Sequence, residues 1–134
     1  MAAKILVAED QLHMLRFMRE QLEGEGYELF QARDGEEAIE TTLRERPDLV
    51  VLDVTMPKLD GLTALRRLKK ENSTRPIPVI VLTSSPHEIM RQEAQFSGAE
   101  VIMTKPFSPT LLRREIRRLV AERRPKSGPP ANPE

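Results

Sequence analysis

The sequence contains no cysteine and few aromatic side chains. The absence of cysteine from all 134 residues excludes a disulfide framework and a thiolate metal site. Four Phe, one Tyr and no Trp leave little for stacking against nucleic-acid bases. No apolar run approaches the roughly 20 residues that a membrane-spanning helix needs, and the amino terminus leaves no room for a signal peptide. We therefore expect one soluble, cytoplasmic domain with no membrane association.

The net charge is zero, but the charges are unevenly distributed. Residues 1–65 hold 7 Lys and Arg against 14 Asp and Glu, whereas residues 66–134 hold 14 and 7. A nucleic-acid interface would need a concentrated basic patch with aromatic side chains among the basic ones. The Arg-rich segment at 113–124 contains none, so we predict no direct nucleic-acid binding by this domain.

Short apolar runs alternate with amphipathic segments along residues 4–124. We predict strands at 4–8, 27–32, 48–53, 78–83 and 100–104, and helices at 11–24, 35–46, 61–71, 87–97 and 109–124. Five such units predict an α/β fold in which a parallel, doubly wound sheet is covered by helices on both faces. The second strand is the most polar and is predicted at an edge of the sheet.

Two helix starts and one helix face are also predicted from local residue types. Asp34 and Ser108 are predicted N-caps of the second and fifth helices, because short polar side chains satisfy free backbone N–H groups there. The inner face of the second helix is predicted at Ala38, Ile39, Thr42 and Leu43. Residues 125–134 are rich in proline and poor in apolar side chains, and we predict a disordered tail or linker beyond a domain of residues 1–124.

Polar side chains stand where four of the five strands end. Glu9 and Asp10 follow the first strand, Asp53 ends the third, Thr83 ends the fourth and Lys105 follows the fifth. The carboxyl ends of parallel strands lie at one edge of a sheet, where ligands of open α/β folds bind. A carboxylate at the end of a buried strand costs free energy unless something at that place interacts with it. Each residue also has an ordinary structural explanation, but their common placement predicts a site.

The residue types at this edge suit phosphoryl transfer. Three neighbouring carboxylates repel one another, and Mg²⁺, which prefers oxygen ligands, relieves that repulsion. Lys105 can offset further negative charge, and the hydroxyl of Thr83 can donate to an incoming oxygen. A carboxylate that attacks phosphorus forms an acyl phosphate, which water later hydrolyses.

The chain resembles the receiver domains of two-component response regulators over about residues 4–122. The motifs that carry the resemblance are Glu9-Asp10, Asp53 with Met56-Pro57 and Asp60-Gly61, Thr83-Ser84, and Lys105-Pro106-Phe107. Each motif alone is weak, but their joint spacing is highly specific. The resemblance implies a flavodoxin-like fold, with a five-stranded sheet in the order 2-1-3-4-5 and five helices.

The resemblance also implies roles for individual residues. Asp53 would be the phosphoacceptor, and Asp10 and Asp53 would coordinate Mg²⁺ directly. Glu9 would act largely through water, and the backbone carbonyl of Thr55 would be a further ligand. The donor would be a phosphohistidine on a sensor histidine kinase or a phosphotransfer protein, and a downstream protein or output domain would read the result.

The remaining implied roles concern the phosphoryl group and the response to it. Thr83 and Lys105 would contact the phosphoryl group, and the Lys105-Pro106 bond is a candidate cis peptide. Thr83 and Ile102 are the switch positions. The family usually has an aromatic residue where Ile102 stands and often an acidic residue at the position of Val101, so this chain departs from the family at both.

Two other classes of function compete with this reading. A phosphate-independent interaction module would keep the fold, and Ile102 favours it, whereas the intact set of acids, hydroxyl and lysine argues against it. A phosphatase that turns over an external substrate would need a second acid where Thr55 stands. We therefore expect a signalling phosphoacceptor that assists its own phosphorylation and dephosphorylation, and not an enzyme acting on an external substrate.

Overall fold

The computed structural model describes residues 2–56, 58–84 and 88–123. The strands are β1 (Lys4–Ala8), β2 (Glu28–Ala32), β3 (Leu49–Asp53), β4 (Val79–Thr83) and β5 (Val101–Thr104). The helices are α1 (Leu12–Glu23), α2 (Gly35–Glu45), α3 (Gly61–Lys70), α4 (Glu88–Phe96) and α5 (Pro109–Arg123). Every predicted element is present, and the described bounds agree with the predicted ones to within one residue. The predicted tail lies outside the described residues.

The strands form one parallel sheet in the order β2-β1-β3-β4-β5. The predicted α/β class, the strand order and the edge position of β2 are therefore confirmed. In β1, β3 and β4 almost every residue is buried, as expected for central strands that are covered on both faces. The order changes direction between β1 and β3, so the carboxyl ends of these two strands flank a crevice.

Alternate residues of each strand pack into two separate cores. Val50 and Leu52 of β3 pack with side chains of α2, α3 and α4. Leu49 and Val51 of the same strand pack with side chains of α1 and α5. The two-residue period of a strand thus divides the apolar side chains between the two layers of helices.

Capping side chains mark the starts of three helices. Asp34 accepts a hydrogen bond from the backbone N–H of Glu37 at 2.8 Å, and Ser108 accepts one from that of Leu111 at 3.1 Å, as predicted. Asp60 caps α3 in the same way. Leu43 was predicted on the inner face of α2 but is 41% exposed, so that assignment is wrong. Among the described helices, none is long and apolar enough to cross a membrane.

Candidate functional site

The polar residues predicted from the strand ends come together at the carboxyl edge of the sheet. Glu9, Asp53 and Thr83 are at most 3% exposed, whereas Asp10 and Lys105 are partly exposed. Carboxylates are seldom buried in proteins unless they are paired. The burial of two of them with a hydroxyl at this edge therefore indicates more than the end of a strand. The sheet therefore presents a compact group of ionisable side chains to one side of the molecule.

Three carboxylates form the acidic part of the site. Glu9, Asp10 and Asp53 each offer an oxygen, and these oxygens lie within 4.8 Å of one another. The donor set consists entirely of carboxylate oxygens, with Asp10 open to solvent, and this is the chemistry that a hard divalent cation such as Mg²⁺ prefers. The three side chains therefore fit such an ion.

Lys105 bridges two of these carboxylates. Its Nζ lies 3.2 Å from Oε1 of Glu9 and 3.2 Å from Oδ1 of Asp53, and its side chain is 15% exposed. Burial by itself would lower the pKa of Lys105, but the nearby charges of Asp53 and Glu9 outweigh burial, so the pKa is raised. Lys105 is therefore a permanent cation at neutral pH, held against both acids.

The pKa of the Glu9 carboxylate is raised above its ordinary value. Burial raises its pKa, and the negative charge of Asp53 raises it further. The backbone N–H of Gln11, which donates to Oε2 at 3.2 Å, and the charge of Lys105 lower the pKa without restoring its ordinary value. The Glu9 carboxylate thus favours the approach of additional positive charge, whether as a proton or as a metal ion.

Backbone hydrogen bonds between neighbouring strands hold this arrangement. The N–H of Lys105 donates to the carbonyl of Thr83 at 2.7 Å, and the N–H of Glu9 donates to that of Ala32 at 2.9 Å. The Lys105-Pro106 peptide bond is cis, as predicted. The site residues are therefore placed by the sheet itself, which is the most rigid part of such a fold.

The loop after Asp53 returns closely to its own starting point. The N–H of Gly61 donates to the carbonyl of Val54 at 2.9 Å. A Cβ atom on Gly61 would lie 2.2 Å from the backbone oxygen of Asp53, so only glycine fits there. Thr55 is exposed within this loop, between the buried side chains of Val54 and Met56. Its carbonyl remains a predicted ligand.

Ile102, the second predicted switch position, lies in β5. Ile102 is opposite Val81 in the sheet and packs against the core beneath α2, α3 and α4. It is partly buried and shares that face with an aliphatic neighbourhood. Val101, one residue earlier, packs on the opposite face with the α1 and α5 core. The structure thus places two aliphatic side chains at these positions of β5.

Sequence reasoning missed two backbone features of the site. The hydrogen bond from the backbone N–H of Gln11 to Glu9 could not be predicted from the residue type, because every residue except proline has such an N–H. The close approach of Gly61 to Asp53 was not predicted, although Gly61 was singled out in the turn after Asp53 and at the start of the third helix. The glycine marked the turn, but the atom it approaches could be identified only from the fold.

Comparison with known proteins agrees with the geometry. The family model described as the response regulator receiver domain matches residues 5–117. The alkaline phosphatase synthesis transcriptional regulatory protein PhoP of Bacillus subtilis is 39% identical over 109 residues, which cover 81% of this chain and 45% of that protein.

Solved structures give the same result. The signal receiver domain of a signal transduction histidine kinase from Syntrophus aciditrophicus is 33% identical, with a TM-score of 0.86 over 98% of this chain and 100% of that one. The receiver domain of a sensor histidine kinase from Pseudomonas aeruginosa PAO1 is 27% identical, with a TM-score of 0.83 over 90% of this chain and 99% of that one. The Pseudomonas structure has a magnesium ion coordinated in its active-site cleft.

The chain belongs to the receiver domains of two-component response regulators, because the family model covers most of it and the fold and acidic site agree. A phosphoacceptor function is consistent with that family. The chain spans 45%, 48% and 26% of the length of the first three different curated relatives that it matches. What it shares with them is therefore the receiver part.

Proposed function

We propose that Asp53 accepts a phosphoryl group from a phosphohistidine on a sensor histidine kinase or phosphotransfer protein. The observation that carries this proposal is the position of Lys105, whose Nζ lies 3.2 Å from a carboxylate oxygen of Asp53 and 3.2 Å from one of Glu9. This arrangement of a buried carboxylate, a lysine and two further acids suits the acceptance of a phosphoryl group. A residue that only ends a strand would not need it.

The transfer needs one bond to form and one to break. An oxygen of the Asp53 carboxylate attacks phosphorus, the phosphorus–nitrogen bond to the donor imidazole breaks, and its electron pair leaves with the imidazole. Lys105 lies beside a carboxylate oxygen of Asp53, the attacking residue, and offsets negative charge on the transferred group. The hydroxyl of Thr83, at the end of the adjacent strand, donates to a phosphoryl oxygen in this proposal. Water later hydrolyses the acyl phosphate.

Glu9, Asp10 and Asp53, with the backbone carbonyl of Thr55, would hold Mg²⁺. When bound, the ion would neutralise charge on the phosphoryl oxygens. The raised pKa of Glu9 supports this assignment, because a buried carboxylate beside another one gains from an added cation. Asp10 is the ligand open to solvent, and it gives the ion a route of entry.

Phosphorylation would shift the population between two conformations of the loop after Thr83 and of the surface formed by α4 and α5. We propose that this surface binds the downstream partner. Thr83 and Ile102 lie on neighbouring strands that lead to this surface, and we propose that they couple it to Asp53. With an aliphatic side chain at position 102, the response would depend on Thr83 and its loop more than on rotation of a large ring. The domain would act in the cytoplasm as a signalling phosphoacceptor, and its reader would be a downstream protein or an output domain.

Intact mass spectrometry tests the proposal directly. The protein is incubated with acetyl phosphate, with and without Mg²⁺, beside Asp53→Asn and Asp48→Asn. Asp48 precedes the opposite end of β3, where its side chain accepts from the N–H of Lys4, so it is a matched control. We expect the parent and Asp48→Asn to gain one phosphoryl group in the presence of Mg²⁺, and Asp53→Asn to gain none.

Two results would contradict the proposal. Equal labelling of Asp53→Asn would place the acceptor elsewhere. No labelling of the parent, together with no detectable Mg²⁺ binding by calorimetry, would leave a receiver-like module that binds its partners without phosphate.

A further inference from the structure

The amino terminus of α2 lies against the loop that follows Asp53. A Cβ atom on Gly35, the first residue of α2, would lie 2.1 Å from the backbone oxygen of Leu59 and 2.8 Å from its Cβ. Such distances to backbone atoms cannot be relieved by turning a flexible side chain. The absence of a side chain at Gly35 is therefore what allows the loop to lie where it does.

Both sides of this contact are tied to the same core. Gly35 is buried, Ala38 one turn later is fully buried in the core, and Asp34 caps the helix through the N–H of Glu37. On the loop side, Lys58 and Asp60 are exposed, but Leu59 packs partly buried against that core. A methyl group added at Gly35 would therefore force Leu59 and the start of α2 apart by roughly 1 Å.

The loop includes one residue in a seldom occupied backbone conformation. Lys58 has a φ of 64°, in the left-handed region that a residue with a side chain seldom occupies. Its Nζ lies 3.8 Å from Oδ2 of Asp34, but the Lys58 side chain is 67% exposed, and an ion pair so open to solvent contributes little. The ion pair therefore adds little to the close contact between Gly35 and Leu59.

This loop joins the acidic site to α3. It follows Asp53 and ends at Gly61, which leaves no room for a Cβ atom beside the backbone oxygen of Asp53 and donates to the carbonyl of Val54. Leu59 is only two residues from Gly61, so a displacement of Leu59 reaches the backbone of Asp53 and Val54 through Gly61. A displacement near 1 Å is large for groups that must converge on one ion or one phosphorus atom.

We propose that Gly35 is a positioning residue for the metal and phosphoryl site, because its bare backbone seats the loop that connects Asp53 to α3. This inference rests on the proposed function, since it concerns the affinity of the same site for Mg²⁺. Gly35 itself touches neither the carboxylates nor the ion. It acts through Leu59 and through Gly61, which contacts the backbone of Asp53 and Val54.

The test compares Gly35→Ala with two matched variants. Gly24→Ala adds the same methyl group at a position with no atom within 4 Å of the new Cβ, so it controls for glycine replacement alone. Asp34→Asn keeps a good N-cap but removes the charge that faces Lys58, so it controls for the ion pair. The probe is Mg²⁺ itself, measured by calorimetry at a temperature at which circular dichroism shows every variant folded.

We expect Gly35→Ala to bind Mg²⁺ about five- to tenfold more weakly than the parent, while Gly24→Ala and Asp34→Asn bind within about twofold of it. The rise in Tm on adding Mg²⁺ should shrink in Gly35→Ala only, and a purely structural defect would lower Tm without changing that rise. If Gly35→Ala does not fold, Mg²⁺ affinity is measured for Leu59→Gly instead. This substitution removes the side chain that packs the same loop against the core.

The outcomes separate this inference from the function on which it rests. If Gly35→Ala folds and binds Mg²⁺ as tightly as the parent, the positioning role is overturned. If Leu59→Gly is used in its place, parental Mg²⁺ affinity in that variant has the same consequence. A parent protein that neither binds Mg²⁺ nor accepts a phosphoryl group would overturn the proposed function, whatever the variants do.

Discussion

At the scale of single residues, Glu9 shows how burial and a neighbouring charge shift the pKa of one carboxylate in the site. Its side chain is fully buried, it faces the charge of Asp53, and one lysine is shared between the two acids. Burial and repulsion raise its pKa above the ordinary carboxyl value of 4.5. The folded protein therefore holds a proton on Glu9 more tightly than the unfolded chain does, and ionisation of Glu9 costs stability.

Replacement of Glu9 by Gln should stabilise the metal-free protein near neutral pH. The gain in the free energy of unfolding should be on the order of 1 kcal/mol, the usual size for one substitution. Because the folded pKa is raised, the advantage should grow as pH rises from about 4.5 through the folded pKa, and should disappear below pH 4.5, where Glu9 is neutral in both states.

Urea unfolding of parent and Glu9→Gln in the presence of a chelator, at several pH values between about 4 and 8, measures this difference. A gap between the two proteins that stays constant with pH would show that the ionisation of Glu9 is not coupled to folding. The Gln side chain can still accept from the N–H of Gln11, so the comparison isolates the charge.

At the scale of secondary-structure elements, α3 depends on the residue that precedes it. Oδ1 of Asp60 accepts from the backbone N–H of Thr63 at 2.9 Å, and Oδ2 accepts from the hydroxyl of Thr63 at 3.1 Å. Asp60→Ala should lower the free energy of unfolding by about 1 kcal/mol, since it exposes an unpaired N–H at the helix start. Asp60→Asn should recover most of that loss, and equal losses in the two variants by urea unfolding would exclude a capping role.

The elements were largely predictable because their signals are local. Apolar runs ended by polar residues located the strands, and the parallel order that follows from alternating strands and helices brought Glu9, Asp53 and Lys105 to one edge. Leu43 was misplaced because it lies at the border of the apolar stripe of α2, where spacing alone cannot separate core from surface. The contact of Gly35 with Leu59 joins residues 24 positions apart, and no local pattern encodes it.

At the scale of the whole molecule, the acids and the rest of the fold are coupled through the sheet. Each strand contributes to both cores through alternate residues, and the central strands end in the ionisable side chains of the site. The cluster of charges at the site is therefore a property of the folded state alone, because Glu9, Asp53 and Lys105 are far apart in the sequence and only folding brings them together. A cation bound by the folded protein must consequently stabilise the whole domain.

Mg²⁺ should therefore raise the Tm of this domain, by an amount that grows with the logarithm of its free concentration above the Kd. At a free concentration ten times its Kd, a ligand that binds only the folded state adds about 1.4 kcal/mol, which corresponds to roughly 5 °C for a domain of this size. Asp10→Asn removes the negative charge of the one carboxylate in the cluster that is partly exposed, and it should abolish most of the rise. Asp48→Asn, outside the site, should retain it. Differential scanning calorimetry over a Mg²⁺ series measures both effects, and an equal rise in parent and Asp10→Asn would mean that the ion stabilises the protein from some other place.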